Sequence, residues 1–306
     1  MIDAHTFQSL RPHLFSVAYR MLSSAAEAED VVQDAWLRAA AAPADLASAR
    51  GWLTTVVTRL CLDRLKSARA RREEYVGPWL PEPVPTGAIE SAEDIAARRE
   101  SVTLAFLVLL ETLTPAERAV FLLREVFDGD YAEVAAVLET TPEAARQMVH
   151  RAKARLTEGR PRFDAPPERQ REIVTRFFEV LKDGDLARLE EYLAADVVFS
   201  ADGGGKVAAA RRPVIGAGAV GRLMLGLWRQ ARGLADPLRV DLRDINGEPA
   251  WVVRRGQDID SVFVFSTHGE RIRAINVVRN PDKLAWLASQ VEPDPHEAGA
   301  ARGEDL

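Results

Sequence analysis

Apolar residues recur at helical spacing through the first half of the chain and alternate in strand fashion through the last third. Phe7, Leu10, Leu14, Val17, Ala18 and Met21 predict an opening helix that Ser23–Ser24 break. A second helix is predicted over Ala25–Ala42, with Val31, Val32, Ala35, Trp36 and Leu37 on its buried side. After a loop at Pro43–Arg50, a third runs over Trp52–Arg72 with Leu53, Val56, Leu60 and Leu65 inward. Tyr75–Gly87, YVGPWLPEPVPTG, is too rich in proline for regular helix. Helix resumes over Ile95–Thr112. Thr114-Pro115 with Glu117 then caps another, whose core side is Phe121, Leu122, Leu123, Val126 and Phe127. Asp128-Gly129-Asp130 turns the chain into Tyr131–Leu156, read as two short helices around a tight turn. Val134, Ala135 and Leu138 form the apolar face of the first. Thr141 is the N-cap of the second and Pro142 its first residue, with Ala145, Val149, Ala152 and Leu156 inward. Glu139 sits in that turn, where glycine is common in such motifs.

The pattern changes after the Pro- and Arg-rich connector Arg160–Arg171. Ile173, Val174, Phe177, Phe178, Val180 and Leu181 predict a helix, and Leu186–Leu193 another. Strands are expected at Val197–Ser200, Leu238–Leu242, Ala250–Arg254, Ser261–Ser266 and Arg271–Val278. Helices followed by a mostly antiparallel sheet imply an α+β domain. The polar Glu292–Leu306 reads as a mobile tail.

Composition narrows the function. A chain of 306 residues has room for two or three domains, and 47% hydrophobic residues supply their cores. The net charge of −6 means that nucleic-acid binding has to come from local patches. Cys61 is the only cysteine, so one chain holds no disulfide and no cysteine-based zinc site, which fits a reducing cytoplasm. No signal peptide is legible, and the most apolar run, Val102–Leu110, is too short for a bilayer. No metal site or cofactor is expected.

The charge is clustered. Helical spacing leaves Arg146, Gln147, His150, Arg151 and Lys153 outside on the last helix of the first half. Arg and Gln on such a helix have the chemistry to read base edges and hold phosphates, although a solvated basic face has the same pattern. Arg59, Arg64, Lys66, Arg69, Arg71 and Arg72 crowd the outer face and end of the third helix against Asp63 alone. This suits a phosphate backbone or a solvated helix end. Glu27, Glu29, Asp30 and Asp34 open the second helix, where they complement its dipole or meet a basic partner.

Two of these stretches together resemble the extracytoplasmic-function sigma factors of bacterial RNA polymerase. AEDVVQDAWLRA (Ala28–Ala39) with RGWLTTVVTRLCLDRLKSARARR (Arg50–Arg72) is similar to their core-binding and −10-reading domain, sigma-70 region 2. TPAERAVFLLREVFDGDY (Thr114–Tyr131) with the helix-turn-helix is similar to the −35-reading domain, region 4. The resemblance covers roughly residues 5–160. It implies contacts to the β′ clamp helices from Asp30, Gln33, Asp34 and Arg38, and to the β flap. It implies −10 contacts from Thr55, Arg59, Arg64 and Lys66, with a flipped base held by the loop 41–50. It implies −35 contacts from Thr141, Arg146, Gln147, His150, Arg151 and Lys153.

WLPEP (Trp79, Leu80, Pro81 and the two residues after), DGGGK (Asp202, Gly203, Gly204, Gly205, Lys206) and NPDKL (Asn280, Pro281, Asp282, Lys283 and Leu284) resemble motifs of the SigJ-type subgroup. Its appended domain is SnoaL-like, a curved sheet around a cone-shaped pocket. Asp202 fits either a general base in such a pocket or the cap of a glycine turn. Trp228 and Trp251 fit either pocket or core.

The expected architecture is multidomain: two all-α domains, the second a helix-turn-helix, then an α+β SnoaL-like domain. The expected boundaries are 1–73 for region 2, 74–95 for the linker, 96–160 for region 4, 168–290 for the regulatory domain and 291–306 for the tail. The expected function is that of an alternative sigma factor, not an enzyme, acting with core polymerase and promoter DNA. The appended domain would modulate it, with a small-molecule ligand possible in the pocket. A polymerase-independent helix-turn-helix regulator and a SnoaL-type enzyme with a DNA-binding anchor are the alternatives.

Overall fold

The computed structural model describes residues 2–40, 48–73, 75–89, 99–157 and 166–291. The loop at 41–47, the first half of the predicted connector and the predicted tail lie outside the described residues, as do the side chains of Arg69, Arg71 and Arg72. The chain forms two units. The first comprises Met1–Tyr75 with Thr86–Arg162, and the second Val76–Pro85 with Phe163–Leu306. Among the described residues, no helix is long and apolar enough to cross a membrane.

The first unit opens with α1 (Ala4–Leu22), capped by Asp3, whose carboxylate accepts the Thr6 amide. Ser23 ends it in the left-handed region at φ 58°, and Ser24 at once caps α2 (Ala25–Ala39) by accepting from Glu27 N. These two serines act as the predicted break. Helix α3 (Ala49–Glu73) completes the three-helix group around Leu14, Val17, Val31, Val32, Leu53 and Leu60. Two inward assignments need correction. Trp36 is 40% exposed and Leu37 74% exposed, because α2 turns only its Val31, Val32 and Ala35 face to the core. On α3, Val57 is buried in place of Val56, one residue further round the helix.

After the short α4 (Thr86–Ile89), the predicted continuous helix to Thr112 is interrupted. A 3-10 turn covers Arg99–Val102, and Thr103 then caps α5 (Leu104–Leu110). Helix α6 (Pro115–Phe121) begins with the predicted capping box between Thr114 and Glu117 and runs into a π-turn at Leu122–Val126. Helices α7 (Tyr131–Val137) and α8 (Pro142–Thr157) form the helix-turn-helix over Val120, Leu123, Val134, Ala145 and Val149.

Glu117 is buried and ties α8 to the start of α6: Arg155 donates to it at 2.7 Å and Arg151 lies at 3.8 Å. Burial pushes its carboxyl up, but the backbone and hydroxyl of Thr114 and the two arginines outweigh that and hold it below the usual 4.5. A depressed carboxyl stabilises the folded state at neutral pH, and the contribution is lost as pH falls through its lowered value. Glu117→Gln should therefore cost about 1.5–3 kcal/mol at pH 7. The gap to the wild type should close as pH falls through the lowered value of the Glu117 carboxyl, as thermal melts across an acid pH series would show.

In the second unit, α9 (Pro167–Asp183) and α10 (Leu186–Glu191) precede a six-stranded sheet. Its strands are β1 (Leu193–Asp202), β2 (Val214–Ile215), β3 (Leu238–Ile245), β4 (Glu248–Arg255), β5 (Asp258–His268) and β6 (Arg271–Val278). The spatial order is β2-β1-β6-β5-β4-β3, antiparallel except for β1 beside β6, so the mostly antiparallel α+β expectation agrees with the structure. Phe177, Trp251, Phe265 and Ile275 centre the core between α9 and the sheet. The two-residue β2 and helix α11 (Ala217–Arg232) were not expected. Three glycines dilute the pattern of α11, and Gly221 sits so close to α10 that a Cβ there would come within 2.8 Å of Leu186 Cδ1 and make that side chain shift. Helix α12 (Pro281–Gln290) ends the described chain.

Candidate nucleic-acid interface and linker cluster

The helix-turn-helix is set by local caps at both helices. Asp130 and Glu133 close a capping box on α7, and the Thr141 hydroxyl accepts the Ala144 amide at 3.2 Å on α8. Glu139 adopts φ 53°, a left-handed conformation that costs a non-glycine residue roughly 1–2 kcal/mol. Thr141, Arg146, Gln147, His150, Arg151 and Lys153 are all exposed. Arg146 lies 4.9 Å from the Tyr131 ring centroid, which orients it outward on an aromatic platform. Lys153 pairs with Glu125 at 2.5 Å and Arg151 leans on Glu117. Arg146, Gln147 and His150 thus form an exposed polar face of α8.

Elsewhere the predicted cations are engaged within the first unit. Arg59 donates to the carbonyls of Val137 and Ala136 at 3.2 Å each and pairs with Glu139 at 3.2 Å. A cation on the C-terminal carbonyls of α7 complements that helix's dipole. Arg64, expected to face DNA, instead turns to α2, where it donates to Glu27 O at 3.1 Å and meets Asp30 at 3.4 Å and Asp34 at 3.1 Å. Coulomb attraction to that acidic helix explains the difference. Thr55 back-bonds to Gly51 O, and Lys66 pairs with Asp63 at 2.8 Å on the exposed surface. Asp30, Gln33, Asp34 and Arg38 lie along the outer side of α2, next to the exposed Trp36 and Leu37. No sequence argument had marked this apolar pair as surface.

In the second unit the three short motifs meet at one point. Asp202, at 0% exposure, accepts the Leu80 amide at 2.8 Å and the Gly204 amide at 3.0 Å. Lys283, 7% exposed, donates to Asp202 at 2.7 Å and to Leu80 O at 2.5 Å, and its Nζ lies 4.1 Å from the Trp79 ring centroid. The Asp202 carbonyl accepts the amides of Arg279 and Asn280, and Asn280 in turn caps α12. Lys206 pairs with Asp282 at 2.5 Å. Gly203 is obligatory in this packing: a Cβ there would sit 2.4 Å from Val207 O. Asp202 does cap the glycine turn, and it holds the linker as well.

A second clasp was not foreseen. Buried Asn246 bonds the Val84 amide through Oδ1 and gives its own amide to Val84 O, both at 2.9 Å, and Pro85 bridges to Ile245. Asn246-Gly247 is the hairpin turn between β3 and β4, with φ 53° and 74°, a dipeptide visible in the sequence as a turn signal. Leu80 and Val84 are buried here, so the proline-rich segment between the two helical domains is folded as part of the sheet unit.

The chain is 39% identical over 297 residues to the ECF RNA polymerase sigma factor SigJ of Mycobacterium tuberculosis, covering 92% of this chain and 93% of that one. The chain belongs to the ECF RNA polymerase sigma factors. The probable ECF sigma factor SigI of the same species is 32% identical over 285 residues, 92% of this chain and 94% of its own length. The sigma-70 region 2 family matches residues 6–71 and the sigma-70 region 4 family residues 103–156. The crystal structure of M. tuberculosis SigJ superposes with a TM-score of 0.73 at 36% identity, covering 92% of this chain and 98% of that one. In this sigma factor, then, α1–α3 fall within region 2 and α5–α8 within region 4. The cluster of Asp202, Lys283 and Leu80 links the chain between those regions to the C-terminal sheet.

Proposed function

We propose that this sigma factor docks on core polymerase through Asp30, Gln33, Asp34 and Arg38 on the β′ clamp helices and through region 4 on the β flap. It reads the −35 element with Arg146, Gln147 and His150, while Thr141, Arg151 and Lys153 hold phosphates. Thr55, Arg59 and Lys66 serve the −10 element, and Arg64 joins them on leaving Asp30 and Asp34. The chain works in the cytoplasm and makes no covalent bonds itself; catalysis belongs to the polymerase. Each reader alone grips DNA weakly, and joining them on one scaffold makes the second contact intramolecular. The C-terminal sheet domain modulates activity by holding the linker that joins the two readers. Its extent is 168–290, with region 2 at 1–73, the linker at 74–95 and region 4 at 96–160.

The observation that carries this reading is the engagement of Leu80 and Val84, in the linker, by Asp202, Lys283 and Asn246 of the sheet unit. In vitro transcription with core polymerase tests it. Asn246→Ala in the full chain should change transcript yield while the protein still co-purifies with the core enzyme. Unchanged yield for this variant and for Asp202→Ala sinks the modulation, and failure to initiate at any promoter sinks the sigma assignment. Arg146→Ala should cost about 1–3 kcal/mol at one −35 base pair, if the guanidinium reads guanine in bidentate fashion. Binding assays on a panel of single-base promoter variants check this, and an equal loss on every sequence would make Arg146 a phosphate contact.

A further inference from the structure

The sheet unit holds a half-open cavity of about 310 Å³, within the range of small-molecule sites. Its walls are aromatic. Phe178 packs edge-on to Trp228 and Trp251, with centroids 5.5 and 5.0 Å apart, and Phe263 lies 6.0 Å from Trp251. Two features do not suit a plain apolar core. The Trp228 Nε1–H is buried and meets no acceptor among the described residues, a condition that native interiors rarely leave uncorrected. Arg255 and Arg279 also line the cavity and share one carboxylate, Asp260, at 3.6 and 3.3 Å, which leaves a net charge of +1.

The chemistry of the lining separates binding from turnover. Among the described lining residues there is no histidine, tyrosine, cysteine or lysine, and the carboxylate present is committed to two arginines. A general acid–base pair therefore has no members here. A ligand that satisfies this lining has a flat apolar body for the aromatic walls, an acceptor oxygen for Trp228 and one negative charge for the arginines. We propose that the cavity is a binding site for hydrophobic ring-bearing monoanions of the aromatic carboxylate class. The site shares a wall with the linker cluster: Ala201 and Arg279 line it and flank Asp202, whose carbonyl accepts the Arg279 amide at 2.7 Å.

The test uses the full chain with 1-naphthoate and its neutral methyl ester as matched probes, without polymerase or DNA, so its outcome is separate from the sigma-factor reading. Calorimetry should show one saturable naphthoate site, at least about fivefold tighter than the ester at low salt. Salt should shrink that preference, because exposed charges are screened. Arg255→Gln, at a half-exposed position, should remove most of the preference for naphthoate over the ester. In nitrogen–proton correlation spectra, the indole resonance lost in Trp228→Phe should move as naphthoate is added. Equal binding of the two probes, or a preference that survives Arg255→Gln, overturns the anion site. Absence of saturable binding, or an indole signal that stays still at saturation, overturns the cavity as the binding site.

Discussion

Asp202→Ala lowers the stability of the sheet unit by about 3–5 kcal/mol, the range for removing one partner from a buried ion pair. The loss has three sources at one atom group. The Leu80 and Gly204 amides lose their acceptor, and the Lys283 ammonium, 7% exposed, loses its carboxylate while it stays beside Leu80 O and the Trp79 ring. Neither contact neutralises a positive charge. Lys283→Met removes that charge and leaves Asp202 with two amide donors, so the single lysine variant should be the milder of the two. The double variant should cost less than the sum, since the side chains contact each other directly. Urea unfolding at pH 7, with the double-mutant cycle completed, measures each term. Amide exchange at Leu80 and Val84 gives a local reading: protection at Leu80 should fall in Asp202→Ala even under conditions where the sheet stays folded. A loss below about 1 kcal/mol would mean that water replaces the carboxylate and that the site is wetter than its burial implies.

That cluster also marks the limit of what the sequence could say. WLPEP, DGGGK and NPDKL were each legible as motifs, but Leu80, Asp202 and Lys283 are 122 and 81 residues apart along the chain, and no local rule joins them. The helix-turn-helix was legible almost residue by residue, because its caps at Thr114, Asp130 and Thr141 and its inward Ala145, Val149, Ala152 and Leu156 are local features. Helix α11 escaped because three glycines dilute its apolar pattern, and one of them, Gly221, packs against Leu186, a tertiary contact invisible to periodicity. Leu37 was placed inside on hydrophobicity, although helical geometry turns it away from Val31, Val32 and Ala35, whereas Trp36, four residues after Val32, sits at the edge of that face against Phe7 and stays 40% exposed. Arg64 shows the same gap for charge: its position in sequence says that it is cationic, and only the packing of α3 beside α2 says which partner it chooses.

Arg118→Ala should be of similar severity in the first unit, about 3–5 kcal/mol, because it strips a buried cation from several acceptors at once. Arg118 is 2% exposed. Its Nε and Nη2 donate to Leu110 O at 3.1 and 2.9 Å, and its Nη1 donates to Met21 O at 2.8 Å and meets Glu111 at 2.9 Å. Burial pulls the guanidinium down to about 9, which leaves it charged at neutral pH. The two carbonyls end α1 and α5, helix ends whose last carbonyls have no partner of their own within the helix. Alanine would take the guanidinium from Met21 O and from Glu111, and would leave Leu110 O to the Leu113 amide at 3.1 Å. Arg118→Lys should recover little, since one ammonium on a flexible stem cannot span Leu110, Met21 and Glu111 as the planar fork does. Because Met21 belongs to region 2 and Leu110 to region 4, the variant should also loosen the two regions together, seen as one earlier transition in urea. A variant in which region 4 melts early while region 2 keeps its wild-type midpoint would show that the Met21 bond carries no load.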